Sequence, residues 1–113
     1  MSKAERLEVL ESKYARLRSD LAGVGPLSKG SVIRRKPGQP GSRYQWTTKV
    51  KNKTVSLTLS EEQYHWLKEA VANQRKLERT LRQMHQISRR IMRLKFPDTD
   101  RRKRLNPKVL RLI

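Results

Sequence analysis

The stretch Ser42-Arg43-Tyr44-Gln45-Trp46-Thr47-Thr48-Lys49-Val50-Lys51-Asn52-Lys53-Thr54-Val55-Ser56-Leu57-Thr58-Leu59-Ser60 decides the fold. Tyr44, Trp46, Thr48 and Val50 fall on one face of a strand, and Val55, Leu57 and Leu59 on one face of a second, because side chains alternate with a period of two. A turn around Lys51, Asn52 and Lys53 brings the two apolar rows together as a β-hairpin. The opposite face carries Arg43, Gln45, Thr47, Lys49, Thr54, Ser56 and Thr58, with no acidic residue. An isolated hairpin is marginal in water, so the apolar face needs a cover.

The cover follows directly. Ser60 with Gln63 makes a capping box, and no glycine or proline interrupts the chain from there to Pro97. The spacing predicts one long helix over residues 61–95, about 50 Å at 1.5 Å per residue. Tyr64, Trp66, Leu67 and Val71 at its start are expected to cover the hairpin, and its seam reads Leu67, Ala70, Gln74, Leu77, Leu81, Met84, Ser88 and Ile91, flanked by Ile87 and Leu94.

Upstream, Ser2 with Glu5 is a second capping box, and Leu7, Leu10, Tyr14, Leu17 and Leu21 follow at heptad spacing. Residues 1–22 are therefore read as a helix that folds back on the long one as an antiparallel hairpin. Its distal half, from about Met84, is left for another subunit or partner. Residues 23–42 are rich in glycine and proline and read as a loop, broken at most by a short strand at Ser31-Val32-Ile33-Arg34. The expected fold class is α+β, with a hairpin and a possible third strand packed on a long helix, plus the N-terminal helix. The organisation is 1–22 helix, 23–60 basic loop and hairpin, 61–95 long helix, and 96–113 basic extended tail.

Charge sets the class of partner. Among 113 residues, 28 Lys and Arg face 10 Asp and Glu, for a net charge of +18. Residues 23–60 hold eight basic residues and no acid, whereas residues 1–22 are nearly neutral at +1. A merely solubilising charge would be spread and mixed with acids, so the asymmetry marks a polyanion site and nucleic acid is the first choice. An acidic protein surface is the competing partner class, and no membrane is expected.

The candidate contacts are Lys29, Arg34, Arg35, Lys36, Arg43, Gln45, Lys49, Lys51 and Lys53 in the loop and hairpin. A ribbon of this kind fits the major groove of B-DNA. Arg82, Arg89, Arg90 and Arg93 on the long helix extend the footprint, since no acid occurs from residue 79 to 95. Arg101-Arg102-Lys103-Arg104 reads as a phosphate-gripping tail, the other reading being a nuclear localisation signal. Single-stranded or RNA binding through Tyr44 and Trp46 is the alternative, although their spacing makes them core. An RNA-binding subunit of a ribonucleoprotein and an inhibitor of an acidic partner therefore stand beside duplex DNA. The heptad seam allows a homodimer or a larger protein partner.

Catalytic chemistry is not expected. Cysteine is absent, and His65 and His85, the two histidines, lie 20 residues apart without a metal-ligand motif. No phosphate loop, nucleophile elbow or carboxylate pair occurs. No metal and no cofactor are expected. The chain start lacks the apolar core of a signal peptide, which points to a cytoplasmic protein.

In the order glycine loop, basic ribbon, capped long helix, the sequence resembles a family of small uncharacterised basic proteins encoded near transposases in bacterial, archaeal and phage genomes. The matching residues are Gly25-Pro26-Leu27-Ser28-Lys29-Gly30-Ser31-Val32, Arg43-Tyr44-Gln45-Trp46, Lys49-Val50-Lys51-Asn52-Lys53-Thr54 and the helix from Ser60, within residues 25–95. Many such proteins carry a cysteine cluster where this chain has Arg34-Arg35-Lys36-Pro37-Gly38-Gln39-Pro40. The resemblance implies an accessory role in a mobile element, with cationic contacts in place of a metal.

Overall fold

A computed structural model describes residues 1–97 and residue 108. The elements are α1 (Lys3–Leu21), β1 (Ser31–Arg34), β2 (Tyr44–Val50), β3 (Lys53–Thr58) and α2 (Glu61–Lys95). The fold is α+β. The expected tail contacts at Arg101, Arg102, Lys103 and Arg104 lie outside the described residues.

The chain divides into two compact units, Val24–Leu77 and Met1–Gly23 with the stretch from Glu78 onward. In the first unit the three strands form an antiparallel sheet in the order β1-β2-β3. Trp46 pairs with Leu57 and Thr48 with Val55, which places the two apolar rows side by side as the alternation requires. The turn itself is shorter than expected. Lys51 and Asn52 alone span it, both at positive φ (49° and 65°), and Lys53 already belongs to β3. Two consecutive left-handed residues are the signature of a type I′ turn, whose twist matches that of the strands. β1 adds the third strand, with Val32 opposite Trp46 and Arg34 opposite Tyr44.

The Ser60–Gln63 capping box closes in both directions, and the Ser2–Glu5 box closes through the Glu5 backbone N–H. Gln63 N–H donates to Ser60 Oγ (3.1 Å) and Ser60 N–H to Gln63 Oε1 (2.9 Å), while Glu5 N–H donates to Ser2 Oγ (3.1 Å). Each satisfies N–H groups that a helix start would otherwise leave orphaned.

The core of the sheet unit is small: Tyr64, Ala70 and Val71 of α2 are buried. The Tyr64 ring lies 4.9 Å from that of Tyr44, centroid to centroid. Trp66, expected to share this cover, is 58% exposed. A helix starting at Glu61 turns positions 64, 67 and 71 to the sheet, and 66 falls beside that row. Residues 24–30 line the same helix: Ser28 N–H donates to Ala70 O (3.2 Å) and Asn73 Nδ2 to Pro26 O (3.0 Å).

The second unit overturns one expectation. The distal half of α2 is not free, because α1 packs on it. Leu10 and Leu17 of α1 line one groove together with Ile87 of α2, and Lys95 Nζ lies 3.3 Å from Glu11 Oε1, so the two helices run antiparallel. The first half of α2 already carries the sheet and the 24–30 segment, which leaves the distal half as the apolar stripe open to α1. The α1 seam is as expected: Leu7, Leu10, Tyr14, Leu17 and Leu21 are its half-buried positions. The α2 seam is covered as expected at Leu67, Ala70, Gln74, Leu77, Met84 and Ile91 and departs from expectation by one residue at two places. Thr80 and Met84 are buried and Ile87 is half-buried, whereas Leu81 and Ser88 are exposed. Ile87 in place of Ser88 covers more aliphatic surface, whereas Thr80 in place of Leu81 covers less.

Candidate nucleic-acid interface

The sheet has two unlike faces. On the α2 side lie Val32, Tyr44, Trp46, Val55 and Leu57. On the open side lie Ser31, Ile33, Gln45, Thr47, Lys49, Thr54, Ser56 and Thr58, a surface of hydroxyls with one amide, one lysine and one isoleucine. Some of these hydroxyls are paired across the strands, with Ser42 Oγ 2.8 Å from Thr58 Oγ1 and Thr47 Oγ1 3.4 Å from Ser56 Oγ.

The cations expected along this ribbon gather at its two ends instead. Lys49, Lys51 and Lys53 surround the type I′ turn, Lys53 on the α2-side face and Lys49 on the open face. Arg34, Arg35, Lys36 and Arg43 occupy the β1–β2 loop end. Six residue steps of β2 separate the ends, roughly 20 Å. Strand polarity makes this segregation: the interior of β2 must serve the core on one face and stay compact on the other.

The loop cations do different work. Arg35 donates from Nη1 to Ser42 O (2.8 Å) and from its backbone N–H to Arg43 O (2.8 Å). Arg43 Nη1 donates in return to Arg35 O, and its guanidinium lies 5.7 Å from the Tyr44 ring centroid. These bonds close the loop. Between them Lys36 O accepts from Gln39 N–H (3.2 Å) around Pro37-Gly38, and Gly38 supplies the positive φ of 86° that this turn needs. Arg35 is thus half-buried and committed to structure, whereas Arg34, Lys36 and Arg43 are exposed. Lys29 is exposed, and its carbonyl accepts from Trp46 Nε1 (3.0 Å), which fixes the approach of the chain to β1.

On α2, Arg79, Arg82, Gln86, Arg89 and Arg93 recur at intervals of three and four and therefore share one helical stripe. It runs about 21 Å at 1.5 Å per residue. None of its arginines is paired with a described carboxylate. Arg90 lies beside that stripe and lines a groove with Lys13 and Arg16 of α1. Those two cations were not among the expected contacts, because four acids in residues 1–22 reduce the net charge of that segment to +1 and conceal them.

Among the described residues no cluster of three metal-ligating side chains occurs, and no helix is long and apolar enough to cross a membrane. His65 Nε2 lies 3.8 Å from Glu61 Oε1, one helical turn away on an exposed face. Set against protein-family models, curated proteins and solved structures, the chain matches none.

Proposed function

We propose that this chain is a non-enzymatic nucleic-acid-binding accessory protein that takes duplex DNA through its three-stranded sheet. One observation carries the reading. Two exposed cationic ends flank a neutral face of hydroxyl and amide groups, in a segment with eight cations and no acid. The ends are suited to phosphates, which position a protein on DNA, and Gln45, Thr47 and Ser56 between them to base edges, which specify sequence. The arginine stripe of α2 is a second phosphate-binding track. The resemblance noted above suggests a mobile-element or phage setting.

The test is a titration of a labelled 20-base-pair duplex at several salt concentrations, repeated with RNA of the same sequence. Arg34, Lys36, Arg43, Lys49, Lys51 and Lys53 acting together give a log-log slope of about −5, from 0.9 per phosphate neutralised. Charge reversal at Arg43, Lys49 and Lys51 is expected to lower that slope by about 3. Tighter binding of the RNA would move the function to a ribonucleoprotein subunit, and an unchanged slope in the variant would remove the sheet as the contact surface.

A further inference from the structure

We infer that the free edge of β3 is a docking site for an extended acidic segment of another protein, which adds to the sheet as a fourth strand. The inference is independent of nucleic-acid binding and rests on three observations.

The first is the edge itself. β3 pairs with β2 alone among the described residues, and each of its six residues is exposed. Leu59 N–H donates to Tyr44 O (2.9 Å), and the two-residue turn pairs Val50 with Lys53. That alternation turns the N–H and C=O groups of Lys53, Val55, Leu57 and Leu59 towards β2 and those of Thr54, Ser56 and Thr58 outward. Three outward donors and three acceptors stand in a row.

The second is the absence of protection beyond Lys53, the one charged residue of β3. Edge strands are usually guarded by inward charges, prolines, bulges or brevity. The other edge, β1, is four residues long and runs into Arg34-Arg35-Lys36. From Thr54 to Ser60 there is no charge, no proline and no glycine.

The third is a groove beside that edge. Trp46, Leu57, Leu59, Gln63, Trp66 and Leu67 line a hollow of about 400 Å³ between β3 and the first turns of α2. Trp66 is 58% and Leu57 51% exposed. An added strand would place alternate side chains in this hollow while its backbone takes the free edge, the arrangement by which sheet-edge grooves recognise peptides. Lys51 and Lys53 at the turn end favour acidic residues at that end of the segment. A second copy of this chain is a poor occupant, since each copy carries +18.

The test is selection from a random dodecapeptide display library on the full-length protein, followed by binding of the enriched peptides to three proteins: wild type, Ser56→Pro and Leu57→Ser. Proline at 56 removes the central outward donor and leaves the β2–β3 ladder intact. Leu57→Ser removes the floor of the groove without changing charge. The expected result is enrichment of peptides with apolar residues at every second position and excess Asp or Glu. Each variant should bind them at least tenfold more weakly with the far-UV spectrum unchanged, and Leu57→Ser should keep duplex DNA affinity within twofold. Failure to enrich any peptide, peptides without alternation, or equal binding by Ser56→Pro would overturn the inference. So would sedimentation showing self-association that Ser56→Pro abolishes, because the edge would then belong to a second copy. Duplex affinity, read separately, reports on the nucleic-acid proposal alone.

Discussion

Lys51→Asn is expected to stabilise the protein and to weaken its grip on DNA. Lys51 sits at φ 49° in a two-residue turn, and a left-handed conformation costs an ordinary L-residue about 1–2 kcal/mol, much less for asparagine. Recovering half of that cost gives about 0.5–1 kcal/mol. For a chain of this length the melting temperature should rise by about 2–4 °C. Both turn residues are exposed, so no packing term enters. Removing a charge between Lys49 and Lys53 also relieves repulsion, and Lys51→Gln isolates that part. Glutamine deletes the charge without easing the backbone and should stay within about 0.5 kcal/mol of wild type, as surface substitutions do. In the salt titration both variants should lose about 0.9 from the slope, one phosphate contact. Thermal unfolding followed by circular dichroism supplies the first readout and the duplex titration the second. If Lys51→Asn is no more stable than Lys51→Gln, the turn is not left-handed at residue 51. If neither variant changes the slope, Lys51 touches no phosphate.

Three further outcomes are expected. Gly30→Ala places a Cβ 2.5 Å from Thr47 O and 2.8 Å from Trp46 Nε1 at a φ of +98°, so it should cost about 3 kcal/mol in urea unfolding through backbone strain and overpacking. A cost below about 1 kcal/mol would show that the β1 approach is not as described. Arg35→Ala should destabilise the protein by about 1–2 kcal/mol, because Ser42 O loses a part-buried donor, while Lys36→Ala should leave stability unchanged and reduce only the salt slope. Equal effects of the two on stability would refute the division of labour in the loop. Glu11→Gln breaks an ion pair whose side chains are half exposed, and should cost no more than about 0.5 kcal/mol in low salt and nothing in 1 M salt.

Much of the fold was legible because its signals are local. Serine caps with Glu5 and Gln63 mark both helix starts, and period-two alternation from Tyr44 to Leu59 places the hairpin register. The heptad leucines of α1 identify its packed stripe. Less of the candidate site was legible. Arg34, Arg35 and Lys36 are adjacent and alike in sequence, yet only Arg35 is spent on a loop carbonyl. Lys13 and Arg16 were hidden by the acids that neutralise α1 in a simple count.

By itself, then, the sequence determined the elements, their caps, the faces of the hairpin and the concentration of charge, because each depends on neighbours within a few residues. Tertiary structure alone decided which half of α2 receives α1, whether Thr80 and Ile87 or Leu81 and Ser88 enter the seam, and that Trp66 stays exposed beside the outer edge of β3. These outcomes turn on competition between distant surfaces for a single helix. A pattern of period 3.6 allows neighbouring positions to exchange within a seam, and the fit against the packed partner chooses between them.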